Sequence, residues 1–188
     1  VSVLSLNIGQ PEDLLQSARM YASAGVLSIE TEKPHFENER NSAFRVQMRG
    51  GSFGYVSPSI RWWQKAGSRT SFSLNGNYMR ADGNYPFTLV NGKYVTEEKR
   101  NNSAIYTYQI EPTLFHTFKD SSNLELKAYY FYSKRGLPGS VTLYNPISDE
   151  TLWDENVFIQ TRYKKDFSQK WSLQAQAKYN HGWNKYED

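Results

Sequence analysis

Cysteine is absent from the 188 residues, which excludes disulfides, thiolate metal sites and a cysteine nucleophile within them. Long apolar runs are missing as well. No stretch of about 18 apolar residues occurs, so a membrane-crossing helix is excluded, whereas a crossing β-strand needs only about 9–11 residues and shows no such run. Basic clusters are also lacking: the net charge is +3 and the cations are scattered, so nucleic-acid binding has no electrostatic footprint. Val1 to Ile8 lack the basic start and apolar centre of a signal peptide, so a leader is expected to lie upstream or to have been removed. Neither a phosphate loop nor a nucleophile elbow is present, and His35, His116 and His181 stand far apart with no partner at ligand spacing. The chain is therefore not expected to be an enzyme, and no cofactor or metal is assigned to it.

What is abundant is aromatic. Fourteen Tyr, ten Phe and five Trp accompany a mean hydropathy of −0.72, a pairing that suits half-buried strands better than a water-soluble core. Only Pro11 to Tyr21 reads as a helix, with proline near its start and acids in its first turn. Elsewhere apolar residues recur at period two. Phe44, Val46 and Met48 oppose Arg45, Gln47 and Arg49; Val56, Ile60 and Trp62 oppose Ser57, Ser59 and Arg61; Phe72, Leu74 and Tyr78 oppose Ser71, Ser73 and Asn75. Tyr108, Ile110 and Leu114 oppose Gln109, Glu111 and Thr113, and Leu124, Leu126 and Tyr130 oppose Glu125 and Lys127. Val157, Ile159 and Tyr163 oppose Gln160 and Arg162, and Leu173, Ala175 and Tyr179 oppose Gln174, Gln176 and Lys178. Seven strands follow from this reading, each with one apolar and one polar face.

Connection lengths separate a membrane sheet from a soluble sandwich. Tight turns near residues 65–68, 119–122 and 168–170 alternate with long polar loops at 81–102 and 134–152, the asymmetry of outer-membrane barrels. The short Gly50-Gly51-Ser52 connection departs from it, since it falls at the long-loop end. Two aromatic girdles are expected, Trp62, Trp63, Phe118, Phe167 and Trp171 beside the tight turns and Tyr78, Tyr130, Tyr132, Trp153 and Tyr179 nearer the loops. Spanning parts of about 10 residues match a tilted strand. Val56, Ile60, Leu74, Ile110, Leu126, Ile159 and Leu173 are expected to face lipid. An odd-numbered open sheet leaves a raw edge on each side, so the chain is expected to be part of a larger barrel.

The segment Ser17 to Thr31, with Tyr21, Gly25, Val26, Ile29 and Thr31, resembles the end of the plug domain in TonB-dependent outer-membrane receptors. Gly51-Ser52-Phe53-Gly54, Tyr78 to Phe87, Ser133 to Gly139 and Leu152 to Phe158 resemble the first hairpins of cobalamin-type (vitamin B12) receptors of Bacteroides-like bacteria. The resemblance implies a plug remnant at residues 1–34, the first seven or so strands of a 22-stranded transmembrane barrel at 35–188, and an antiparallel all-β meander. It further implies active import of cobalamin or a related corrinoid across the bacterial outer membrane, energised by the TonB coupling protein through segments outside this sequence. Related receptors take iron chelates (siderophores) or glycans. A passive porin and a soluble β-sandwich binding module are the readings from other classes.

Within the 81–102 loop, Asn91-Gly92 is a strong hairpin signal. Asp82, Asn84, Tyr85, Phe87 and Tyr94 are the candidate contacts to cargo or to a substrate-binding surface lipoprotein. The acidic run Asp149, Glu150, Asp154 and Glu155 lacks EF-hand spacing and reads as a solvated loop. Arg45, Arg49, Arg61 and Arg162 fall on polar faces, where a barrel interior tolerates charge.

Overall fold

A computed structural model of the chain describes residues 3–8, 22, 24–30, 34, 36, 41–141 and 148–188. The helix expected at Pro11 to Tyr21 lies outside the described residues. Two compact units are present, Val1–Asn38 and Glu39–Asp188. In the first, β1 (Val3–Ile8) pairs antiparallel with β2 (Gly25–Glu30).

The second unit is built on one antiparallel meander. Its strands are β3 (Ser42–Gly50), β4 (Val56–Lys65), β5 (Thr70–Ala81), β8 (Ile105–Thr117), β9 (Asn123–Gly136), β10 (Thr151–Asp166) and β11 (Ser172–Glu187). They run in the order β11-β10-β9-β8-β5-β4-β3, with a separate hairpin, β6 (Pro86–Asn91) and β7 (Tyr94–Lys99), inserted between β5 and β8. The seven expected strands are the seven of the sheet, and no helix occurs among the described residues. No described helix is long and apolar enough to cross a membrane, which has no bearing on a chain that would cross with strands.

The ladder registers carry each apolar parity onto the next. Phe44 faces Trp62, Trp62 faces Leu74, and Leu74 faces Pro112; one step further, Val46, Ile60, Gly76, Ile110, Tyr130 and Val157 form a continuous row. Because the side-chain period is two, one matched pair fixes the face of every other residue in that pair of strands. Val56, Ile60, Leu74, Ile110, Leu126, Ile159 and Leu173 thus share one face.

That face is left uncovered. Ile110 is 48 % exposed, Ile159 50 % and Phe44 66 %, and no hydrophobic side chain is buried among the described residues. The buried strand residues are Ser57, Ser73, Thr113 and Ser133, all on the polar face, where long neighbours shield small hydroxyls. Among the described residues, the strongly packed strand pairs of this unit are all ladder neighbours.

Two expectations change. Strands β9 to β11 run 14 to 16 residues, longer than spanning parts of about 10, because the ladders continue toward the loops through charged residues on the apolar parity, such as Lys134, Glu155 and Lys185. Trp63 belongs to the polar face, opposite Ala43 and Ser73, and the Arg45 and Arg61 guanidiniums lie 5.9 and 5.5 Å from its ring centre. It therefore cannot serve in an outward girdle. Trp62 stays on the apolar face near the tight-turn end, stacked on Phe44 at 5.9 Å, with its indole Nε1 donating to the Ser42 hydroxyl at 3.1 Å.

Candidate ligand-binding rim at the loop end

The loop end starts from a turn that is short for its position. Tyr55 N donates to Ser52 O at 3.3 Å, and the central residues Phe53 and Gly54 have φ of 59° and 71°, the pattern of a type I′ turn. Such turns select Asn or Gly at their first central position, since a β-carbon there crowds its own backbone. Phe53 occupies it, and its carbonyl accepts two further bonds, from Asp82 N at 2.8 Å and Gly83 N at 3.3 Å. Glycine at 54 suits its positive φ, and a β-carbon there would push the Asp82 carboxylate from its place.

Those bonds fix where the 82–104 loop leaves the sheet. Asp82 Oδ1 accepts from Arg80 Nη2 at 3.0 Å and Nε at 3.2 Å. Arg100 N donates to Tyr85 O at 3.0 Å and closes the base of the β6–β7 hairpin. At that base Tyr85 lies 6.1 Å from Phe53, edge to face, and 6.2 Å from Phe87. Phe53 and Tyr85 are nearly half exposed, so an aromatic cluster is offered to solvent.

A polar hub joins this loop to the next. Arg100 Nη2 donates to Pro138 O and Gly139 O at 3.0 and 2.9 Å, and Asn102 Nδ2 donates to Leu137 O and Glu150 O at 3.1 and 2.7 Å. Asn102 holds φ at 48°, a conformation its short polar side chain tolerates. A β-carbon at Gly136 would overlap Asn102, so glycine permits the close approach.

Of the five candidates, Tyr85 and Phe87 come together, and Asp82 anchors the base beside them. Asn84 is exposed next to the cluster. Tyr94 does not join them. It pairs with Asn91 at the hairpin tip, about 17 Å of strand away from the base. Phe53, Arg100 and Asn102 were not among the candidates. Glycines on both sides of Phe53 mark a turn, but nothing in the chain says which distant ring it will meet.

The acidic run does not converge: Asp154 pairs with Arg135 at 3.2 Å and accepts from Asn184, and no described cluster of His, Asp and Glu could hold a metal ion. His116 shares a hydrogen bond with Thr70 at 2.8 Å on the apolar face, and His181 is an exposed residue of the edge strand β11. No protein-family model matches the chain, and no curated protein matches it.

On the apolar face the rows change character toward the loops. Tyr78, Tyr108 and Tyr132 form one row, with ring centres 5.2 and 6.0 Å apart. The next row outward alternates cation and ring: Arg80, Tyr106, Lys134, Trp153 and Lys185. Lys134 and Lys185 lie 5.2 and 4.8 Å from the centre of the Trp153 ring.

Proposed function

We propose that the chain forms part of a TonB-dependent outer-membrane receptor that actively imports a scarce nutrient, cobalamin or a related corrinoid. The observation that carries the membrane reading is the inverted sheet: apolar side chains stand exposed on one face while small hydroxyls are the buried residues of the other. Water would penalise that exposed face at roughly 25 cal/mol per Å², whereas lipid is its natural solvent. Tyrosine and tryptophan–lysine rows beyond the apolar band fit headgroup depth, where amphipathic rings and long cations are at home. Unpaired ladders at β3 and β11 fit a sheet that continues into a closed barrel.

Import rather than passive diffusion is supported by the plug-like segment and by the hub-braced aromatic rim, which suits capture of a cargo. Iron-siderophore and glycan receptors remain the alternatives within the family, with a surface lipoprotein as a further partner of the rim. The test is growth on limiting cobalamin of a strain deleted for the full-length receptor and complemented with it. Growth restored by the receptor and abolished without the TonB system is the expected result; unimpaired growth of the deletion strain sinks the corrinoid reading.

A further inference from the structure

Charge is distributed unevenly between the two ends of the sheet. The tight-turn spans 64–70, 117–123 and 164–172 hold six basic residues, Lys65, Arg69, Lys119, Lys164, Lys165 and Lys170, against Asp120 and Asp166, a net of +4. The loop-end spans 49–56, 80–104, 134–155 and 182–188 hold eight basic and nine acidic residues, a net of −1. The protein's positive charge is thus concentrated at the tight turns.

Local bonding sharpens this excess. Lys165 Nζ binds Asp120 Oδ2 at 2.8 Å, and Asp120 Oδ1 accepts from the Ser122 hydroxyl and amide at 2.7 and 3.2 Å, so that carboxylate is already satisfied. Arg69 and Lys119, both exposed, make no ion pair among the described residues. With Asp120, whose carboxylate is held by Lys165, and Ser122, they line an open depression of about 590 Å³ that three rings also border: His116 and Phe118 meet at 4.6 Å, and Phe118 and Tyr163 at 6.4 Å. His116 and Tyr163 belong to the apolar face, which places the depression where that face ends. Phe167 and Trp171, 62 % and 75 % exposed, stand on the neighbouring turn.

The geometry points to a binding site for an anionic glycerophospholipid, with Arg69 and Lys119 taking the headgroup phosphate and the Phe118–Tyr163 wall taking the first part of an acyl chain. Exposed cations beside aromatic rings, at the margin of an apolar surface, match a molecule that is anionic at one end and apolar at the other. The site rests on the membrane reading proposed above, but not on the identity of the cargo.

The test uses the full-length receptor in nanodiscs of phosphatidylcholine, with and without phosphatidylglycerol. Failure to insert into either disc overturns the membrane reading and the site with it. Given insertion, the wild type is expected to enrich phosphatidylglycerol around itself and to melt at a higher temperature in its presence. Arg69→Gln and Lys119→Gln should each weaken that preference about five-fold, while Lys93→Gln, at the hairpin tip, should leave it unchanged. A preference unaltered in the Arg69→Gln/Lys119→Gln double variant overturns the site and leaves the membrane reading standing. If inorganic phosphate at millimolar concentration raises the melting temperature in pure phosphatidylcholine as much as the anionic lipid does, the depression binds an ion rather than a lipid, and the proposal also falls.

Discussion

The two faces of the seven-stranded sheet follow opposite rules. On the polar face, Arg61 Nε donates to Asn75 Oδ1 at 2.8 Å, Asn75 donates to Glu111 at 3.3 Å, and Lys127 pairs with Glu111 at 3.1 Å, a chain of bonds across four strands. On the apolar face, Ile110, Leu126, Ile159 and Leu173 touch ladder neighbours and are otherwise 41 to 50 % exposed. Water-soluble sheets reverse this arrangement, sealing the apolar face and wetting the other. The contrast teaches that hydrophobicity here marks an uncovered face, while polar contacts tie the strands together on the other.

The sharpest way to break the contrast is to place one charge on each face. In lipid vesicles Ile110→Arg should cost about 2–4 kcal/mol, the penalty for an arginine near the bilayer midplane. Gln109→Arg, one residue earlier and on the polar face, should cost less than about 1 kcal/mol. Urea unfolding of the full-length protein in vesicles measures both. Were Ile110 merely an exposed residue in water, its replacement would be nearly neutral, and that outcome would remove the distinction between the faces.

Next in size is the polar chain. Glu111 and Lys127 have side chains only 15 % and 16 % exposed, so Glu111→Ala should cost about 1–3 kcal/mol by leaving the ammonium and the Asn75 amide without their partner. The double variant Glu111→Leu/Lys127→Met should recover much of the loss, since removing both charges ends the mismatch. If the single variant unfolds at the same urea concentration as the wild type, the polar face does not depend on this chain of bonds.

A third comparison concerns the loop end, where one turn is strained and its neighbours are braced. Phe53→Asn relieves the left-handed conformation and should raise stability by about 1 kcal/mol, while removing one ring from the exposed cluster. Cargo uptake by the full receptor should fall in the same variant. A stability gain with unchanged uptake would mean that the ring has no part in binding. Replacing Tyr85 and Tyr94 with alanine separates base from tip: Tyr85→Ala should weaken uptake more, because only Tyr85 belongs to the cluster.

Alternation made the sheet legible from sequence because register transmits one parity from strand to strand. Phe44, Val46 and Met48 already announce the face that Ile110 and Leu173 complete. The longer ends of β9 to β11 were not legible, since Lys134, Glu155 and Lys185 fall on the apolar parity and break the pattern that pairing then continues. Asn91-Gly92 gave the hairpin and hence the general location of the rim, but not its partners. Phe53 reaches Tyr85, and Asn102 reaches Leu137 and Glu150, through approaches between distant loops that no local pattern encodes.

The smallest expected effect lies at the opposite end, where Asp120 is fixed by Lys165 and Ser122. The hydrogen bond from Lys165, followed by those from the Ser122 side chain and backbone, holds the Asp120 carboxyl below its ordinary value of 3.8. A folded-state value below the unfolded one means that the ionised form contributes stability above about pH 4, and that the contribution disappears as pH falls through the folded value. Asp120 is exposed, so the effect is modest and screened by salt. Asp120→Asn should therefore melt slightly below the wild type at pH 7, and the gap should narrow as the buffer is acidified below pH 4. Melting curves of both proteins across that range read the difference directly. A gap that stays constant with pH would show that neither the lysine nor the Ser122 bonds favour the ionised carboxyl in the folded protein.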